Sequence, residues 1–335
     1  MIHKAFTTTL ALLSTLATHT DASPIDKRQT QTAVPVMGGQ NFPDPGMIKT
    51  GDGWYAFSTN GGPGKSVHIQ TAYSPDYKTW QFRGTRDAMP TLASWIDPGN
   101  PRVWAPDPNQ LSDGSYIMYY TAALKSQPKL HCLGWAKSTS GNVEGPYVDN
   151  SAQPWICPTS IGGAIDPAGY VDPQYRRWVV YKVDGNAIGR GGECGNTVAP
   201  IVPTPIMLQQ VGQDGHTLIG APRQILTNGP ADGPYIEAPS LTRLNGKYVL
   251  FFSSQCFVTP KYDVQYAVAD TITGPYTRQG RLFATGSYGM KAPGGLDIAV
   301  NGNKVVWHAD NGAGGRAMYT ANVRLEGNKI IPTLS

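Results

Sequence analysis

Asn41-Phe42-Pro43-Asp44-Pro45-Gly46-Met47-Ile48 places one carboxylate between two prolines, just ahead of an apolar, aromatic segment, Trp54 to Ser58. Proline fixes its own φ and biases the residue before it toward extended backbone. Asp44 is therefore expected extended, with little backbone freedom, aimed at the start of a strand. Alone, the stretch reads equally well as a turn that happens to contain Asp. Its recurrence decides between the two.

Five segments share this layout: a Pro/Gly-rich opening, a few apolar residues, a turn, then a hydrophobic strand. Asp44-Pro45-Gly46 leads to Trp54–Ser58, Asp107-Pro108-Asn109 to Tyr116–Tyr120, and Asp166-Pro167-Ala168 to Trp178–Tyr181. Glu237-Ala238-Pro239 leads to Tyr248–Phe252, and Pro293-Gly294-Gly295-Leu296 to Val305–His308. Asp52-Gly53, Asp113-Gly114, Asn245-Gly246 and Asn301-Gly302 separate the halves of four of them. Such dipeptides accept positive φ and are a strong hairpin signal. A further strand follows at Val67–Tyr73, Leu133–Ser138, Gln265–Asp270 and Ala317–Val323, and Gly145-Pro146-Tyr147 is echoed by Gly274-Pro275-Tyr276. The first four hydrophobic strands start about 60–70 residues apart, enough for a four-stranded blade with its loops. The prediction is an all-β, single-domain, five-bladed β-propeller, with a β-sandwich as the competing reading. If the opening segments line the hub, Asp44, Asp107, Asp166 and Glu237 converge on one axis. The fifth repeat offers no acid at the matching place, and Asp297, a few residues on, is left unaligned.

Composition agrees. Only 15% of residues are charged while Gly (39) and Pro (28) abound, favouring strands and turns over amphipathic helices. A net charge of +4 without a basic stripe argues against nucleic-acid binding. Lys4, the short apolar run Ala5–Ala17 and the small residues near Ala22 read as a signal peptide over 1–22, and Ser23–Arg28 as a short dibasic pro-segment. The propeller would then occupy 29–335 of a secreted, extracellular chain with no membrane span, expected to be monomeric. Cys132, Cys157, Cys194 and Cys256 permit two disulfides in any of three connectivities, and with no CxxC pair a zinc site is not expected.

The phrases Asn41–Gly46, Val103-Trp104-Ala105-Pro106-Asp107, Ala164-Ile165-Asp166-Pro167 and Ile236-Glu237-Ala238-Pro239-Ser240-Leu241 together resemble glycoside hydrolase family 43, from about Phe42 to Pro332. That family comprises five-bladed propellers acting mainly on arabinofuranosides and xylosides with inversion. The resemblance implies Asp44 as the general base, Glu237 as the general acid and Asp166 as the third carboxylate, which tunes and orients the acid. Inversion needs the base and acid far enough apart to admit a water between base and sugar. The apolar neighbours of Glu237, and a charged Asp166 beside it, should raise its pKa, the direction a general acid requires. Trp104 and Phe42 flank two of the acids as candidate walls of a sugar pocket, with packing the simpler reading for Phe42. Arg316, in a late Gly-Arg phrase, is expected to meet a sugar hydroxyl, against a surface ion pair. Asp107 is expected to support the others by accepting backbone hydrogen bonds.

Many members carry Gly-Pro-Gly-His in the fifth blade, holding a central ion or water. Here Ala292-Pro293-Gly294-Gly295 stands instead, so no metal ligand or cofactor is expected, and a central calcium is left doubtful. His308, after Trp307, reads as a packed histidine. The implied substrate is an α-L-arabinofuranoside of plant cell-wall arabinan or arabinoxylan, a choice supported by the end of the chain soon after blade five. A β-xylosidase, an exo-β-1,3-galactanase, a retaining fructosidase and a non-catalytic carbohydrate-binding propeller are the alternatives. The loops Arg83–Arg102 and Asn186–Pro203 are candidates for closing the channel mouth.

Overall fold

A computed structural model of the chain describes residues 31–61 and 66–335 and, before them, only Met1. The leader and pro-segment therefore fall outside the described residues.

The described residues form five antiparallel sheets of four strands each, with no α-helix among them. Blade one holds β1 (Gly46–Lys49), β2 (Trp54–Ser58), β3 (Gln70–Ser74) and β4 (Gln81–Phe82). Blade two holds β5 (Trp104–Gln110), β6 (Tyr116–Ala123), β7 (His131–Ser138) and β8 (Tyr147–Val148). Blade three holds β9 (Ala164–Val171), β10 (Arg177–Val183), β11 (Ile206–Val211) and β12 (Leu218–Leu226). Blade four holds β13 (Ile236–Leu244), β14 (Lys247–Ser254), β15 (Asp263–Ala269) and β16 (Thr277–Phe283). Blade five holds β17 (Gly294–Ile298), β18 (Lys304–Asp310), β19 (Arg316–Glu326) and β20 (Lys329–Leu334). The innermost strands β1, β5, β9, β13 and β17 neighbour one another in that order, and β17 returns to β1.

The four Asx-Gly turns join the first and second strands of blades one, two, four and five, as expected. The outer strands of blade three had no sequence signal. They follow a long excursion after β10, so they fall out of step with the repeat. The paired Gly-Pro-Tyr phrases have one structural job: Tyr147 and Tyr276 each turn a phenol back onto a carbonyl four residues earlier, Val143 and Ile272.

No blade can bury its own surface. One core cluster joins blades one and two through Phe57, Ile69, Met118 and Tyr120, and another joins four and five through Phe251, Val264, Trp307 and Ala321. The ring closes where Phe42, Met47, Trp54 and Tyr77 pack on Val306 and Met318. Polar contacts tie the same seam. The Phe42 N–H donates to the Arg316 carbonyl (2.7 Å), and the Tyr77 hydroxyl donates to the Val305 carbonyl (2.6 Å). Phe42 is fully buried in this seam, opposite Phe82, and does not reach the hub cavity; the pocket-wall reading of Phe42 is corrected to packing.

The hub departs from the sequence expectation in one instructive way. Asp44 is not extended: its φ is 52°, and Ala105 (43°), Asp166 (56°), Ala238 (49°) and Gly295 (57°) share that left-handed conformation. Four of the five precede proline, the context that should oppose it. Around these residues the inner strands of blades two to five slip register against their partners, as β-bulges do where a side chain must be re-aimed. At Gly295 a Cβ would come within 2.6 Å of the His308 ring, so this position requires glycine for space as well as for φ. The bulge also corrects the alignment of the acids. Asp44 and Asp166 hold the bulged position, Glu237 comes one residue earlier, and Asp107 two later. Asp297 is the fifth-blade equivalent of Asp107.

Candidate active site

The backbone N–H of each bulged residue needs an acceptor, and the preceding blade supplies it. Ala105 donates to Thr59 Oγ1 (3.0 Å), Asp166 to Thr121 Oγ1 (3.0 Å), Gly295 to Ser253 Oγ (2.9 Å) and Asp44 to His308 Nδ1 (2.9 Å). These acceptors occupy one row along the second strands, with Thr59 just past the end of β2. Pairing places Thr121 opposite Trp104, Ser253 opposite Glu237, and His308 opposite Gly294. In blade three the same place, opposite Ile165, is taken by Lys182, which has no acceptor. The Ala238 N–H turns instead to the Asp166 carboxylate, at 2.9 Å. Asp166 is thereby drawn against the segment that carries Glu237.

A cavity of about 850 Å³ opens over this ring, within the range of small-molecule sites. Asp44, Asp166, Glu237, Lys182, Trp104 and Arg316 all line it. The two acids expected to share the chemistry are held differently. Burial alone would raise the Asp44 pKa, but the Arg316 guanidinium (Nη1 to Oδ1, 2.9 Å) and the Thr59 hydroxyl (2.6 Å) overcome it and hold the carboxyl below the usual range. Glu237 moves the other way. Burial raises it, and the Lys182 ammonium (3.1 Å) and the Tyr262 hydroxyl (2.8 Å) offset only part of that rise. Asp166 is pushed well above its ordinary value, first by burial and then by Glu237. A charge count explains the pattern. Arg316 balances Asp44 and Asp184 balances Lys182, at 2.9 Å and 3.1 Å, leaving Asp166 and Glu237 without a full cation between them. Such a pair titrates as a unit, with its proton affinity raised.

Trp104 packs and is also exposed to the cavity. Its ring lies tilted against His131 with ring centres 4.1 Å apart, and the residue lines the cavity. Arg316 is not a surface ion pair: it lines the cavity and pairs there with Asp44, with its guanidinium 5.4 Å from the Phe257 ring. Asp107 lies on the cavity floor, accepting the Gly169 N–H (2.8 Å), as expected of a supporting group. Asp297 lies beside it, accepting the Met47 N–H (2.8 Å) and the Ser240 hydroxyl (2.7 Å). Of the two candidate mouth loops, Asn186–Pro203 reaches the cavity through Asn186, Ala187 and Cys194. Arg83–Arg102 does not: Trp95 and Ile96 pack it back onto blade two, against Tyr120 and Leu124.

The disulfides are Cys132–Cys157 and Cys194–Cys256. The second staples the blade-three loop to the segment carrying Phe257 and Val258 at the mouth. The hub imidazole is a poor ligand for a central cation. Nδ1 of His308 accepts the Asp44 N–H, Nε2 faces Arg316 Nη1 at 3.2 Å, and the guanidinium brings its own positive charge.

Sequence reasoning passed over Lys182, Tyr262, His131 and Asp184. Lys182 carried the one available signal, a lysine inside the apolar run Trp178–Val183.

The comparisons agree with this architecture. The sequence profile of glycosyl hydrolases family 43 matches residues 33–325. The extracellular endo-α-(1→5)-L-arabinanase 1 of Bacillus subtilis (strain 168) is 30% identical over 289 residues, covering 80% of this chain and 81% of the relative. The extracellular exo-α-(1→5)-L-arabinofuranosidase of Cellvibrio japonicus (strain Ueda107) is 27% identical over 272 residues, covering 78% and 71%. A solved thermostable family-43 glycoside hydrolase superposes with a TM-score of 0.72 at 21% identity over 91% of this chain and 96% of that one, which speaks for the fold. With five blades, a hub of carboxylates and a profile match along nearly the whole described chain, the protein belongs to glycoside hydrolase family 43.

Proposed function

We propose that this chain hydrolyses α-L-arabinofuranosyl linkages of arabinan or arabinoxylan with inversion, Asp44 serving as general base and Glu237 as general acid. The observation that carries the reading is the opposite bias of two carboxyls in one cavity. Arg316 favours the ionised form of Asp44, and burial favours the protonated form of Glu237. Carboxyls whose pKa values are pushed apart divide the labour of acid and base. Asp44 takes a proton from water, which attacks the anomeric carbon; Glu237 gives its proton to the departing glycosidic oxygen. Asp166, hydrogen-bonded beside the acid at the Ala238 amide, is itself pushed up by burial and by Glu237, so the two carboxyls share a raised proton affinity. The arabinan-directed names of the relatives support the choice of sugar.

Hydrolysis of an arabino-oligosaccharide by the wild type, reduced about 10²–10⁴-fold in Glu237→Gln, is the expected result. Turnover unaffected by Glu237→Gln would remove the acid assignment. Binding of arabino-oligosaccharide without any turnover would make the chain a lectin.

A further inference from the structure

Lys182 is fully buried at the end of an apolar strand, where it costs more than the residues that fill its row in the other blades. Thr59, Thr121, Ser253 and His308 each accept a bulge amide; a lysine cannot. A fold-building residue at this place would be a threonine or serine. The lysine instead sends its ammonium to Glu237 Oε2 and Asp184 Oδ1, each at 3.1 Å, and over the Tyr235 ring at 4.2 Å. Behind it, Asp184 Oδ2 lies 3.7 Å from His131 Nδ1, and His131 in turn backs Trp104.

We propose that Lys182 is the positioning residue of the general acid: braced by Asp184, its ammonium fixes the Glu237 carboxyl against Tyr262 and displaces Asp166 onto the Ala238 amide. This rests on the assignment of Glu237 made above. One substitution in the repeat thus does two things, clamping one oxygen of the acid and bringing the third carboxylate to its side. The groups facing Glu237 are Lys182 and Asp184 from blade three, Asp166 from β9, Tyr235 and Tyr262 from blade four, and Asp44 across the cavity. Among them Lys182 is the cation that opposes the upward push of burial. Asp184 and Glu237 in return keep Lys182 charged despite its burial.

The test compares two leaving groups. An arabino-oligosaccharide needs protonation of its departing oxygen; a dinitrophenyl α-L-arabinofuranoside does not. Two variants are used. Lys182→Met keeps the volume, and the double variant Lys182→Thr with Asp184→Asn restores the hydroxyl of the other blades while leaving no orphaned charge. In each folded variant kcat on the oligosaccharide should fall about 10–100-fold, and on the dinitrophenyl glycoside less than about 5-fold. The alkaline limb of kcat/KM for Lys182→Met should move to higher pH, because the ammonium that lowers the proton affinity of Glu237 has gone. Equal losses on both substrates, or no loss on either, overturn the proposal. Wild-type turnover of both substrates checks the functional reading separately. If the wild type prefers another glycone, the same ratio is measured with the poor and good leaving groups of that sugar.

Discussion

Asp44 has a guanidinium, a threonine hydroxyl and an imidazole around it, whereas Glu237 has a shared ammonium, a phenol and a second carboxyl. Both are carboxyl groups in one cavity, so their neighbours decide which of them favours the ionised form. Arg316 is the principal cation holding Asp44 ionised, and its removal has a definite sign. In Arg316→Met the Asp44 pKa rises toward the value that burial favours, and the acid limb of kcat/KM moves to higher pH. A pH–rate profile checks this; an acid limb that stays in place would separate Arg316 from the base. His308 adds no charge, since burial and Arg316 push its pKa down to about 3. Its part is to accept the Asp44 amide. The sequence marked Asp44, Asp166, Glu237 and Arg316 because each sits in a short phrase. Lys182 and Tyr262 sit in no phrase, and their meaning comes from contacts 55 and 25 residues away in the chain.

The element that builds the site is the bulged inner strand with the acceptor row beside it. Thr121 is fully buried and takes the Asp166 N–H. Thr121→Val keeps the shape but leaves that amide without a partner, at a cost of about 1–3 kcal/mol. Thermal unfolding should show a lower midpoint, and an unchanged midpoint would mean that the amide finds another acceptor. Strand positions and the four Asx-Gly turns were legible because alternation and positive-φ dipeptides are local properties. The bulges were not, since proline at the next position argues for extended backbone and the hub overrides it. Anchoring the alignment on the acids rather than on the residue before proline therefore mismatched Glu237 and Asp107, and left Asp297 out.

At the scale of the whole molecule, five units that cannot bury their own faces close into a ring, and closure gathers the acids. Residues 44, 166 and 237 meet because blades one, three and four are spokes of one hub, with Arg316 arriving from blade five to pair with Asp44. The repeat count and the family likeness made this wheel readable from the sequence. The outer strands of blade three and the mouth stapled by Cys194–Cys256 were not, because a long loop there breaks the period. The central claim is that water activated by Asp44 attacks the sugar directly while Glu237 protonates the leaving oxygen from the opposite side. Proton NMR of the sugar first released from an α-L-arabinofuranoside tests it most directly. The account predicts the β-anomer at the earliest time points, before mutarotation; release of the α-anomer would contradict it.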